Sequence, residues 1–70
     1  MPEKHEIIEL YRELIELSQK ENRWLTIFLN GQTIAGIVTG IIGTEALEVR
    51  NQTFSKIIIR LEAIEAMAIG

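Results

Sequence analysis

RWLTIFLNGQTIAGIVTGII, residues 23–42, is rich in β-branched and aromatic residues and alternates by two, which is the pattern of half-buried strands. Leu25, Ile27 and Leu29 share one side; Trp24, Thr26 and Phe28 share the other. Asn30-Gly31 interrupts the stretch with the strongest short hairpin signal, since both residues tolerate positive φ and so match the twist of flanking strands. The returning strand, residues 32–42, is long for a small domain and carries Gly36 and Gly40. Glycine inside a strand marks a bulge, a sharp bend or a close backbone approach. A long strand bent at such points can serve both halves of a small barrel.

Upstream, the period changes. Ile7, Ile8, Tyr11, Leu14, Ile15 and Ser18 recur at three- and four-residue spacing, with Leu10 and Leu17 widening the stripe, as in an amphipathic helix. Pro2, Glu3 and Glu6 suit its start, because proline is tolerated in a first helical turn and carboxylates favour the positive end of the dipole. The spacing predicts a helix over residues 3–21, its outer face carrying Glu6, Glu9, Glu13 and Glu16 with Arg12 and Lys20. This charge reads as a solvated face.

Downstream, GTEALEVRNQTF, residues 43–54, supplies a turn at Gly43-Thr44, a strand through Val49 and a second turn at Asn51-Gln52. In FSKIIIRLEAIEAMAIG, residues 54–70, Ile57, Ile58 and Ile59 leave neither face of the fourth strand plainly solvated, and the fifth sets Ile64 against Met67 and Ile69. Contiguous strands with short turns predict a meander that closes into a barrel. A strand apolar on both faces needs a second surface against it. The economical cover is another copy of the chain, paired edge to edge through these two strands, with Ile57, Ile58, Ile59, Ile64 and Met67 as interface residues. Such a head-to-tail contact closes into a ring when its rotation allows.

Composition points the same way. A domain of 70 residues buries only about 60% of its unfolded surface, and chains of this size usually need disulfides, a metal or partner subunits. With no cysteine and one histidine, neither a disulfide framework nor a thiolate or imidazole-rich metal site is expected, which leaves assembly. No cofactor is expected, because the glycines are spread along hairpin strands and build no phosphate loop. No apolar run approaches the roughly 20 residues of a membrane span. MPEKHE lacks the apolar core of a signal peptide, so the chain is read as cytoplasmic.

The order of one short helix and five strands, with the second long and glycine-bent and the last two forming adhesive edges, resembles the Sm-like superfamily, and within it the bacterial Hfq branch. IFLNGQTIAGIV, residues 27–38, resembles the first Sm motif through Asn30, Gly31, Ile34 and Gly36, and Ile59-Arg60 resembles the Ile-Arg that opens the second. The resemblance covers residues 4–69. It implies a single domain over residues 1–70: an N-terminal α-helix followed by a small, five-stranded, strongly bent SH3-like barrel over residues 23–69, mainly β, assembling into a cyclic homo-oligomer. It also implies single-stranded RNA binding on the ring, in the manner of an RNA chaperone. Arg60 falls where Sm proteins carry a pocket arginine; here it either holds a base or phosphate or bridges Glu62 or a neighbour's carboxylate. Phe28 falls where Hfq proteins stack a base, and otherwise packs under the helix or against Trp24. Asn30 and Gln32 at the turn complete the candidate RNA site. The chain departs from the family at GTEALE, which has no base-reading Asn, and at IRLEAI, where Hfq carries its pore Tyr-Lys-His.

An enzyme is not expected. Glu62 and Glu65, the closest carboxylate pair outside the helix, fall on opposite faces of a strand, and no nucleophile, base and oxyanion donors assemble together. His5 reads as solvated, and Met67 as core or interface filler. The alternative to RNA binding is a ring that serves as a scaffold, its acidic helices facing a basic protein partner. The net charge of -3 gives no diffuse attraction for RNA. The placement of Arg50, Lys56 and Arg60 therefore separates the two readings: convergence on one face builds a field, whereas pairing with Glu45, Glu48 or Glu62 cancels it.

Overall fold

The computed structural model describes residues 4–70, with side chains from Glu9 onward; the helix start at residue 3 and the reading of the His5 side chain lie outside that range. One helix, α1 (Lys4–Glu21), precedes five strands: β1 (Leu25–Leu29), β2 (Gln32–Ile42), β3 (Ala46–Arg50), β4 (Ile57–Arg60) and β5 (Ile64–Ile69). A single 3-10 turn, Leu61–Ala63, joins the last two.

The helix ends where its own sequence stops it. Asn22 takes a left-handed φ of 54°, which a short polar side chain tolerates, and the Arg23 N–H donates to the Ser18 carbonyl at 3.2 Å. That bond, reaching back over the last turn, is the Schellman termination. The β1–β2 hairpin forms as expected at Asn30-Gly31, with Leu29 opposite Gln32. Only Gly31 has positive φ there, at 80°. The turn therefore needs glycine at its third position, as a type II turn does, and Asn30 is not used for its left-handed tolerance.

The sheet is antiparallel throughout, in the order β4-β3-β2-β1-β5. The expected meander holds from β1 to β4, but the last strand does not continue it. After the 3-10 turn β5 crosses to the far side and pairs with β1, Leu25 opposite Ile69 and Ile27 opposite Met67. β4 and β5 are thus the two outer edges of the sheet. The long β2 makes this possible by changing partners along its length: residues 32–36 pair with β1 and residues from Ile37 on pair with β3.

Two features of β2 let the sheet fold on itself. At Gly36 an added Cβ would stand 2.7 Å from the Arg50 carbonyl oxygen, so the backbone of β3 crosses where only hydrogen leaves room. Beyond it a register shift leaves Thr39 unmatched between Val38 and Gly40, a bulge that sharpens the local twist. The Thr39 hydroxyl holds the bulge by donating to the Glu48 carboxylate at 2.9 Å. Gly40 has no such crowding, since a Cβ there meets nothing within 4 Å.

The core lies inside the bend. Ile15 of α1 packs with Leu25, Ile27, Val38, Leu47, Val49, Ile59, Leu61 and Ile64, so every strand contributes. The alternation read from the sequence holds in β1, where Leu25 and Ile27 are buried while Phe28, and Trp24 just before the strand, are exposed. Ser18 is fully buried on the same helix face as Ile15. Its hydroxyl donates to the Arg23 carbonyl at 2.8 Å and accepts from the Val38 N–H at 3.0 Å.

These contacts make two tests of the fold. Ser18→Ala strands a buried donor and an acceptor, which costs about 1–3 kcal/mol; urea unfolding at matched protein concentration should show a lower midpoint with an unchanged slope. Gly36→Ala should destabilise markedly, whereas Gly40→Ala should be neutral or slightly stabilising through the reduced entropy of the unfolded chain. Equal losses at both glycines would contradict the close approach at Gly36.

Candidate functional site

Asn51, the first residue after β3, builds a rigid turn from its own side chain. Its Oδ1 accepts from the Thr53 and Phe54 N–H groups at 2.9 and 2.8 Å, an Asx turn, while its backbone N–H donates to the Phe54 carbonyl at 2.9 Å. The remaining amide group donates to the Ala35 carbonyl at 2.9 Å. That carbonyl belongs to the half of β2 that pairs only with β1, so Asn51 ties the turn to an otherwise open strand edge.

The consequence is a groove of about 350 Å³ lined by Gln32, Thr33, Ile34, Ala35, Asn51, Phe54 and Ile57. Its floor is the open edge of β2, its far wall the turn. Phe54 is 58% exposed; an aromatic ring held out by a fixed turn is available to a planar partner. Gln32 and Thr33 are also exposed and bring an amide and a hydroxyl to the rim. Thr33 links the groove to the neighbouring sheet surface, because it lies directly opposite Phe28 of β1. Phe28 itself is 38% exposed, flanked on its other side by Ala66 of β5. It therefore lies on the outer face and not under the helix.

Of the residues singled out from the sequence, Phe28, Asn30 and Gln32 come together at the β1–β2 hairpin, beside the groove. Arg60 is not among the residues that line the groove. It pairs in register with Ala46, which in turn pairs with Ile42 at the far end of the eleven-residue β2. Its side chain is 76% exposed and reaches the Glu62 carboxylate at 3.4 Å, a long contact in solvent that contributes little. Lys56 lies 3.9 Å from Glu48. Arg50 is exposed and, among the described residues, is in no ion pair. The three cations thus do not act together: two stand beside carboxylates and one is open.

The expected interface residues divide by face. Ile59 and Ile64 are buried in the chain's own core, and Ile57 and Met67 pack against it. Ile58 points outward from the β4 edge and is 49% exposed, with Ile42 also exposed on the same end of the sheet. The core side of the closing strands is therefore covered from within the chain, and the outer side of β4 is not.

Phe54 and Asn51 were not singled out from the sequence. The signal was present in NQTF: an Asn three residues before an aromatic, in a turn between strands, is where an Asx turn would fix a ring that no core position requires.

No protein-family model matches this chain, and no curated protein matches it significantly. The structure also has no described helix long and apolar enough to cross a membrane.

The role of Asn51 can be measured directly. Asn51→Ala should release the turn, so that the Thr53 and Phe54 amides exchange with deuterium faster while the β1–β2 core amides keep their protection; unchanged exchange at Phe54 would mean the turn is held by something else.

Proposed function

We propose that this protein is an Sm-like subunit that assembles edge to edge into a ring and, as a ring, binds single-stranded RNA. The bent five-stranded sheet is read as the small SH3-like barrel of that superfamily. For assembly, the support is the sheet order: the two strands that close the chain, β4 and β5, are its opposite edges, joined by one 3-10 turn. An edge strand is a template for another strand. When β4 of one copy meets β5 of the next the contact is head to tail, and closure gives a ring. Ile58, exposed on β4, becomes buried in such a contact.

The observation that carries the RNA reading is the gathering of two exposed rings, Phe28 and Phe54, with the polar rim of Asn30, Gln32 and Thr33 at one end of the sheet. Single-stranded RNA differs from duplex in offering unstacked bases, and proteins take them on aromatic side chains with hydrogen bonds to the base edges. Each base stacked contributes about 1–3 kcal/mol, and a ring repeats the site in every subunit. The placement of the three cations makes stacking the larger part of this binding, with Arg50 the one of the three outside any ion pair among the described residues. In the ring Arg60 would serve a separate place, near the β4 edge, and not the groove.

The second reading, a scaffold for a basic protein, has its own support. Lys56 and Arg60 stand beside Glu48 and Glu62, and the exposed face of α1 carries Glu9, Glu13 and Glu16. What it lacks is a use for exposed rings at the hairpin end.

Two measurements test the proposal. Light scattering at micromolar concentration should give a multiple of the 8.0 kDa chain, and Ile58→Lys should reduce that mass without changing the circular dichroism; a monomeric parent protein would end the ring reading. Fluorescence anisotropy of labelled oligo-A and oligo-U should show binding that persists at physiological salt. Phe28→Ala or Gln32→Ala should weaken it by severalfold or more, and Arg60→Ala should weaken it less. Absence of binding even at low salt would favour the scaffold.

A further inference from the structure

The RNA reading uses Phe28 and leaves aside the larger aromatic just before the same strand. Because Leu25 and Ile27 are buried, the alternation of β1 sends Thr26 and Phe28 to the outside. Trp24 is 44% exposed. It precedes Phe28 by four residues, about 13 Å along an extended strand, which is far enough for the two rings to take different bases.

What lies between the rings is low. Thr26 stands opposite Ala35 of β2 on one side and Ala68 of β5 on the other. Around Phe28 the neighbours are Thr33 and Ala66. The outer face of β5, β1 and the first half of β2 is therefore a floor of alanine and threonine with one aromatic at each end. No long side chain of these strands rises between them to bar a chain laid along β1.

Trp24 adjoins the end of the β1–β2 ladder: Leu25 is opposite Gly36 in its last pair, and Trp24 is the residue just before β1. Ile37 faces outward by alternation yet is buried, and its partner on the other side is Arg50. Arg50 is thus carried next to the residue that follows Gly36, the partner of Leu25. The residue before Trp24 is anchored, since the Arg23 guanidinium donates to the Gly70 carbonyl at 3.0 and 3.3 Å. Arg50 is exposed and outside any ion pair among the described residues. A cation one strand away from an exposed indole is placed for the phosphate that accompanies a stacked base.

We propose that Trp24 is a second base-stacking platform, so that the outer face of β1 holds two bases of one RNA strand, one on Trp24 and one on Phe28, with Arg50 meeting the backbone phosphate beside Trp24. This rests on the RNA reading and extends it to a residue that reading does not need. The ligand class is narrowed accordingly: an unpaired, extended stretch with bases free to splay, and not a duplex, whose bases are stacked on each other.

Trp24 is the only tryptophan of the chain, so its fluorescence reports on this one place. The assembled protein is titrated with a short single-stranded oligoadenylate. Indole emission and the anisotropy of an end label on the RNA are followed together, and an abasic phosphodiester of equal length and charge serves as the control. Stacking predicts quenching that saturates with the anisotropy, no quenching by the abasic strand, and quenching that persists, at weaker affinity, in Phe28→Leu. Trp24→Leu should weaken binding about five- to a hundredfold, Trp24→Phe should restore most of it, and Arg50→Gln should lower the salt dependence of binding by about one phosphate contact per subunit. A rise in anisotropy without quenching would overturn the role of Trp24 and leave the RNA reading standing. Equal quenching by the abasic strand would also overturn it, since charge alone would then move the indole. No rise in anisotropy at low salt would remove the RNA reading and this inference together.

Discussion

One hydroxyl group links the helix to the sheet by hydrogen bonds. The β1–β2 ladder has Leu25 opposite Gly36, and two residues further along each strand it would pair Arg23 with Val38. There the strands have separated, and the Ser18 hydroxyl occupies the gap, donating to the Arg23 carbonyl and accepting from the Val38 N–H. A side chain of α1 thus stands in for one rung of the sheet. The same residue uses its own carbonyl to receive the N–H that ends the helix. A buried, unpaired amide is costly, so a helix shifted by one turn would lose the rung and its own termination at once. Ile15, three residues earlier, is thereby delivered into the core.

With α1 fixed over that gap, β2 is free to leave β1 and pair with β3. The departure needs room at Gly36, where the Arg50 carbonyl passes, and extra length at Thr39. From this follow both ends of the molecule. At one end the first half of β2 keeps an edge that no strand covers, and Asn51 takes one of its carbonyls, holding the Phe54 turn and the groove. At the other, the 3-10 turn after β4 is tied back by the Leu61 N–H donating to the Glu45 carbonyl at 2.8 Å. That bond aims the last strand across the bend toward β1. The groove and the separated edges are consequences of one change of partner within one strand.

The fold was legible in the sequence as far as local periodicity reaches. The helix stripe through Tyr11, Leu14, Ile15 and Ser18, the strand alternation around Leu25 and Ile27, and the turn at Asn30-Gly31 follow from residue spacing, whereas Leu10, read as widening that stripe, is exposed. What spacing does not contain is the pairing of strands distant along the chain: nothing in EAIEAMAI says that Met67 lies opposite Ile27 rather than beside β4. Gly36 and Gly40 look alike in sequence, and only the passage of the Arg50 carbonyl distinguishes them. The candidate site was legible in part for the same reason. Phe28, Asn30 and Gln32 belong to one hairpin and stay together whatever the tertiary fold. Arg60 was grouped with them through the family resemblance, and the strand order sends it to the other end of β2. Phe54 depended on an Asx turn, whose meaning appears only when the Ala35 carbonyl is seen to need a donor.

The proposed function also fits the chain's charge. An acidic chain has little to offer RNA at long range, and two of its three cations on β3, β4 and the approach to β4 already stand beside carboxylates. A protein in that position can still hold single strands if it offers what duplexes do not require, namely flat apolar surface for bases. Trp24, Phe28 and Phe54 would be expected to disappear into the core of so small a domain, where large side chains stabilise most. They are exposed instead, with the interior filled by isoleucine, leucine and valine, which is the arrangement the proposed function requires. Under the proposed function, carboxylates beside the cations would act as a filter: they would weaken attraction to any polyanion while leaving intact the attraction to unpaired bases, so that selectivity for single strands over duplex would come at the expense of long-range capture.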